Sequence, residues 1–188
     1  MASLGIVANS PLYGLVVELA RAAGKEGSFN LSKQVNRLHF HLRIENEPFM
    51  PLVIEAWNTG DGHIISVAHY YTQNGDAMRD PEVVMMNEGR LLSYQQDSLG
   101  IYNAVSWWED RPGGTVWKVN LKAYASVLEF TKLWARNIKA QGFMEAVRKK
   151  YARAAVEGRN GPLYQEARRG RLSHNRQRYR RGFRLVRD

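Results

Sequence analysis

The sequence predicts an α+β fold: an antiparallel sheet of about five or six strands with helices packed on one face, plus a basic C-terminal tail. Three observations predict it. From Arg37 to Val119 the chain is a series of short β-prone runs divided by turn-forming residues. On either side of that region, apolar residues recur at steps of three and four, the period of a helix with one buried face. The charge is divided unevenly along the chain. Residues 1–131 carry 10 Lys+Arg and 14 Asp+Glu, whereas residues 132–188 carry 17 and 4, a net of +13 in the last third.

Ser10-Pro11, followed by Leu12, Leu15, Val16 and Leu19, predicts a capped amphipathic helix that stops at Gly24. Lys25 to Asn36 reads as a polar loop. Arg37 to Glu45 sets Leu38, Phe40, Leu42 and Ile44 against His39, His41, Arg43 and Glu45. That period of two predicts a half-buried strand. Pro48 and Pro51 bracket a bend before a strand over Leu52–Trp57, and 58–62 is a turn. His63 to Tyr71 is rich in β-branched and aromatic residues. An irregular polar connection then leads to an antiparallel return strand, Glu82 to Met86. Asn74-Gly75 supplies a tight turn within the connection, and Asp80-Pro81 an extended or turn dipeptide.

Further strands are expected over Arg90–Gln96, Ile101–Trp108 and Thr115–Val119, with a loop at Asp110–Gly114. Trp107-Trp108 would place one ring on each sheet face. Asn120 caps a helix whose buried positions read as Leu121, Tyr124, Leu128, Thr131, Trp134 and Ile138. Gly142 breaks it, and Phe143 to Val156 continues as a second helix. The division is a globular domain over residues 1–157 and an Arg-rich extension over 158–188.

Composition narrows the function classes. The chain has 188 residues and no Cys, so disulfides, thiol chemistry and Cys-type zinc sites are excluded. The start lacks the pattern of a secretory signal, and no run of about 18 apolar residues suits a transmembrane helix. The expected location is the cytoplasm, without membrane partners. Loops for nucleotide phosphates, nucleophile elbows and His-Glu-x-x-His helices are missing from the sequence. No catalytic residue, metal ligand or cofactor is nominated.

The tail carries the strongest binding signal. Arg168, Arg169, Arg171, Arg176, Arg178, Arg180, Arg181 and Arg184 crowd one short stretch, with Tyr179 and Phe183 between them. Guanidinium groups hold phosphates bidentately and stack on bases, and aromatic rings add stacking surface. Arg148, Lys149, Lys150 and Arg153 extend the basic character onto the preceding helix. The expected partner is DNA or RNA, or a host nucleoprotein complex. A basic tail that docks on an acidic protein explains the same composition.

Two other clusters invite chemistry. His39 and His41, with Glu45, share a strand face and have ligand types suited to iron or zinc. A solvent-facing polar strand side is the favoured reading of them, because so short a spacing recurs by chance. Gln73, Asn74, Asp76, Arg79, Asp80 and Glu82 form the densest polar stretch before the basic third. With His69, the carboxylates could hold magnesium for phosphodiester cleavage. Turn chemistry explains Asn74, Gly75, Asp76, Asp80 and Pro81 without a metal. It leaves Gln73, Arg79 and Glu82 unexplained, and the expected partner-binding surface is the whole connection: Gln73, Asn74, Asp76, Arg79, Asp80 and Glu82.

Three stretches carry a family resemblance: Ile44–Glu55, Ile65–Glu82 with its Gln-Asn-Gly-Asp-x-Met-x-Asp-Pro-Glu core, and Leu133–Phe143. Over about residues 43 to 147 the chain resembles an uncharacterised domain family of small proteins from bacterial plasmids, integrative elements and phages. The resemblance implies a mobile genetic element in a bacterial host and no particular activity. The expected function is therefore a non-enzymatic nucleic-acid-associated protein of such an element, including an anti-CRISPR type of inhibitor. A metal-dependent nuclease and a protein-only interaction module are the alternatives.

Overall fold

The structure is a computed structural model that describes residues 7–30, 38–59 and 62–160, with Asn30 and residues 153–160 described in backbone only. The chain divides into two compact units, residues 1–148 and 149–188. Among the described residues, 149–160 belong to the second, as the end of a helix that begins in the first.

Helices α1 (Pro11–Ala22) and α2 (Glu26–Asn30) precede the sheet. Six strands follow as a meander: β1 (Leu38–Asn46), β2 (Phe49–Thr59), β3 (Gly62–Gln73), β4 (Asp76–Met86), β5 (Arg90–Gln96) and β6 (Ile101–Ala104). Each pairs antiparallel with the next in sequence. Strands β7 (Ser106–Arg111) and β8 (Gly114–Val119) form a separate two-stranded sheet. Helices α3 (Leu121–Ala140) and α4 (Phe143–Asn160) complete the described chain. The α+β class and the six-stranded antiparallel sheet are as the sequence predicts. No described helix is long and apolar enough to cross a membrane.

The caps form as their residue types dictate. The Ser10 hydroxyl accepts from the Leu12 amide and donates to Thr131 Oγ1 at 2.9 Å, which ties the start of α1 to the middle of α3. Asn120 Oδ1 accepts the Ala123 amide at the start of α3. Gly89, at φ +106°, turns β4 into β5 directly beneath that first cap. A Cβ there would lie 2.9 Å from the Ser10 carbonyl oxygen and 2.9 Å from Tyr13 Cβ. Only glycine allows the two elements to approach so closely.

One face of the sheet is covered by helices. Phe40, Leu42, Ile44, Leu52, Ile54, Ile65, Val67, Val83, Met85 and Leu91 line it and are essentially excluded from solvent. The register places Leu42 beside Ile54, Ile54 beside Val67 and Val67 beside Val83. Trp134 of α3 and Phe143 of α4 both lie against His69, at centroid distances of 5.6 and 5.5 Å. The Tyr124 hydroxyl accepts the Leu91 amide and donates to the Ala8 carbonyl. Phe29 of α2 seals the end near β1, edge-on to Phe40. The buried stripe of α3 is Tyr124, Val127, Thr131, Trp134, Ala135 and Ile138. Val127 takes the place expected of Leu128, and Leu121 is exposed. Leu121 adjoins the cap, before the helix reaches the sheet.

Several local expectations are corrected. Glu26–Asn30, read as loop, is a short helix. The connection between β3 and β4 is a hairpin with one bulge: the strands continue to Gln73 and resume at Asp76. Asn74 and Gly75, at φ +55° and +90°, make the two-residue turn whose twist matches the strands. Ile101–Trp108 is two strands, broken at the buried Val105. The expected loop at 110–114 is the end of the β7–β8 hairpin, with Arg111 opposite Gly114. Of the predicted linker, residues 158–160 are helical.

The sheet also carries bulges that sequence periodicity does not reveal. Asp80 and Pro81 together oppose His69, because Pro81 has no amide to donate to a ladder. Met50 and Pro51 oppose Glu45 in the same way. A third bulge, at His39, and a fourth, at Leu92, reset which face the following residues occupy.

Candidate functional site

The site builds on the other face of the six-stranded sheet, which no described helix covers. At its centre is a polar network centred on Arg79. Glu82 Oε1 accepts from the Ser66 hydroxyl at 2.6 Å, and Glu82 Oε2 lies 3.5 Å from Arg79 Nε. Arg79 Nη1 donates to Gln95 Oε1 at 3.2 Å, and Gln95 Nε2 donates to Asp97 Oδ1. The Arg79 backbone amide closes the loop by donating to Asp97 Oδ2 at 2.8 Å. Tyr70, paired across the strands with Arg79, bonds its guanidinium.

The titration behaviour follows from these bonds. Burial acts to lower the Arg79 guanidinium, but Glu82, Tyr70 and Asp97 outweigh it and hold it above its ordinary value. Bonds from the Arg79 amide and from Gln95 hold Asp97 below the usual carboxylate range. Burial, then the Glu82 charge, raises the Tyr70 phenol. Both carboxylate oxygens of Glu82 are engaged, and the single cation of Arg79 stands among two carboxylates, Glu82 and Asp97. These bonds tie β3, β4 and the 97–99 turn together on this face.

A shallow groove of about 260 Å³ adjoins the network, bounded by His41, Arg43, Glu55, Tyr70 and Tyr71. His41 lies 4.0 Å from Glu55, and Arg43 pairs with Glu45 at 2.6 Å. Arg43, Glu45 and Glu55 thus bring charges of both signs to this part of β1 and β2.

The second feature is an aromatic hollow of about 460 Å³ between this face and the β7–β8 hairpin. Ile64, Val84 and Met86 contribute its apolar side, with Trp57, Trp107, Trp108, Trp117 and Tyr102 around them. Trp107, Trp108 and Tyr102 remain 41%, 44% and 66% exposed. Both tryptophans of the Trp107-Trp108 pair are accessible, where the sequence suggests one on each face of a larger sheet. Trp108 packs edge-on to Trp117 at 4.7 Å, and the Arg90 guanidinium lies 5.4 Å from the Trp117 ring centre.

The predicted site residues are distributed rather than gathered. Gln73, Asn74 and Asp76 sit at the exposed tip of the β3–β4 hairpin, where Gln73 Oε1 accepts from the Tyr71 hydroxyl. Arg79 and Glu82 belong to the network. Asp80 lies in the bulge, where its charge bears on His69 and Tyr94 of the helix-covered face. His69 is itself buried there and bonds the Pro51 carbonyl. The sheet thus separates His69 from Glu82 by its own thickness.

His39 and His41 are parted as well. The bulge turns His39 to stack on His63, which abuts the buried Phe29, while His41 stays on the uncovered face. Among the described residues, no group of three His, Cys, Asp or Glu could hold a metal ion. Arg148, Lys149 and Lys150 are exposed on α4. Arg153 lies in the same helix with its side chain outside the described residues. Arg168, Arg169, Arg171, Arg176, Arg178, Tyr179, Arg180, Arg181, Phe183 and Arg184 lie outside them altogether. The hollow is what residue-by-residue reasoning missed. Its signal was the spacing of Trp57, Trp107-Trp108 and Trp117, which becomes meaningful only once the strands are ordered.

Fold and site together define an α+β meander domain with one face under helices and an aromatic, partly charged face that no described helix covers. The chain belongs to a family described as a domain of unknown function, DUF6908, whose model matches residues 25–144. That span includes the whole sheet, the Arg79 network and the hollow. No curated protein and no solved structure matches the chain.

Proposed function

We propose that this protein is a non-enzymatic nucleic-acid-associated protein whose basic C-terminal third binds the phosphate backbone. One observation carries the reading: residues 132–188 hold 17 Lys+Arg against 4 Asp+Glu, while the rest of the chain is net negative. Nine of those cations are arginines between 168 and 187, interleaved with Tyr179 and Phe183. Arginine in this setting favours phosphate and base stacking over a general solubilising role. The exposed Arg148, Lys149 and Lys150 are consistent with it.

The setting we propose is a bacterial mobile element or phage, on the resemblance of the Gln73–Glu82 stretch. There the protein would act in the host cytoplasm on nucleic acid or a nucleoprotein complex. Inhibition of host defence, of the anti-CRISPR type, is one such role. The nuclease alternative gains no support from a sheet that parts Glu82 from His69 and Asp80.

The test is binding of DNA and RNA across a salt titration. Each phosphate neutralised releases counterions, so log affinity falls linearly with log salt. Replacing Arg176, Arg178, Arg180 and Arg181 with Ala should weaken binding and flatten that slope by about 0.7–0.9 for each phosphate that is no longer neutralised. A wild-type protein that binds neither DNA nor RNA at low salt overturns the proposal and leaves an acidic protein as the partner of the tail.

A further inference from the structure

We infer that the aromatic hollow between β7–β8 and the uncovered sheet face receives unpaired bases, so that the protein prefers single-stranded nucleic acid to duplex. The inference rests on the nucleic-acid reading above and adds to it a second site of different chemistry, in the first unit of the chain.

Three features of the hollow support it. First, Trp107, Trp108 and Tyr102 are large flat rings held partly open to solvent at 41%, 44% and 66% exposure. A domain gains nothing in stability by leaving three such rings accessible together. Rings of this kind stack on any base, because every base has a π face. Second, the hollow, about 460 Å³, is a recess rather than a flat patch. A base in a duplex is stacked on its neighbours, and only an unpaired one can be turned into such a recess.

Third, the charge is of the right sign. No described residue lining the hollow is acidic. Arg90 lies against Trp117, and Lys118 stands directly across the ladder from Trp107. Of the hairpin's carboxylates, Glu109 is paired with Arg111, and Asp110, which accepts from the Thr115 hydroxyl, is not among the residues that line the hollow. Stacked bases would therefore bring their phosphates to a rim of cations. A second copy of this chain, docked hollow to hollow, would set those cations against their own kind.

The experiment uses the full chain with labelled single-stranded oligothymidine and oligouridine of about 12 nucleotides, and a duplex of equal length. Anisotropy reads affinity and tryptophan fluorescence reads stacking. Wild type should bind single strands more tightly than duplex, with quenching by single strands. Trp107→Ala with Trp108→Ala should lower single-strand affinity by about 5- to 150-fold per stacked ring, with duplex affinity and salt slope unchanged. Trp107→Phe with Trp108→Phe, which keeps flat rings and serves if the Ala variant fails to fold, should restore most of the affinity. Binding without quenching, and with the same single-strand to duplex ratio in wild type and variants, overturns this inference while leaving the tail reading intact. Absence of any binding overturns both. A mass that doubles with concentration in wild type but not in the Trp107 and Trp108 variants also overturns it, because the hollow then belongs to a dimer interface.

Discussion

The two faces of one sheet are made from alternate residues of the same strands, yet they are held by different forces. On the helix-covered face, Leu42, Ile54, Val67 and Val83 stand in a row across four strands, all fully buried. Their stabilisation is non-directional and scales with the apolar area removed from water. On the uncovered face, Ser66, Glu82, Arg79, Gln95 and Asp97 stand in a comparable row and are joined by directional bonds. The tryptophans divide the same way. Trp134 of α3 is 6% exposed against the sheet, while the other four line the hollow. The difference teaches that apolar burial fastens one face to the helices, while directional bonds order the face that no described helix covers.

The comparison can be broken most directly with tryptophan. Trp134→Ala should destabilise by about 3–5 kcal/mol, the usual loss for a large buried aromatic. Trp108→Ala should stay within about 1 kcal/mol, because its ring is already partly hydrated. Equal losses in chemical denaturation would erase the distinction between the faces.

An intermediate effect is expected in the network. Glu82→Ala removes the acceptor of the Ser66 hydroxyl and the counter-charge of Arg79, in a site where the Glu82 side chain is only 14% exposed. The loss should be about 1–3 kcal/mol, the usual cost of stranding a buried donor. It should not depend on added magnesium or manganese. A magnesium-dependent cleavage activity that this variant abolishes would promote the nuclease alternative instead.

The smallest effect separates the faces by pH. Burial pushes the His69 imidazole below its ordinary value, despite opposing bonds to the Pro51 and Met50 backbone. A group with a depressed folded pKa binds its proton more readily when unfolded. The stability it confers is thus complete above about pH 6.5 and falls as pH drops from there toward the folded pKa. His63, also depressed by burial and by the His39 charge, adds to the same trend. His69→Phe should reduce the loss of stability between about pH 7.5 and 5.5. An unchanged acid slope in urea titrations would show that His69 is not the group responsible.

Much of the fold was legible locally. Ser10-Pro11, Asn120 and Gly24 mark helix ends because caps are made from neighbouring atoms, and Asn74-Gly75 specifies its turn by backbone angle alone. The alternation from Leu38 to Glu45 identified a strand for the same reason. Of the site, Arg79 and Glu82 were legible as polar residues that turn chemistry left unexplained. Their bonds to Ser66, Gln95 and Asp97 were not, since those residues come from other strands.

What the sequence by itself determined was the α+β class, the helix caps, the tight turn and the concentration of positive charge in the last third. Only the tertiary structure decided which face each residue serves. A bulge adds one residue to one strand, and its place is set by the partner strand, so counting in twos along a single segment cannot find it. That is why His39 and His41 part company, why Asp80 and Glu82 act on different sides, and why four tryptophans scattered along the chain come to line one hollow.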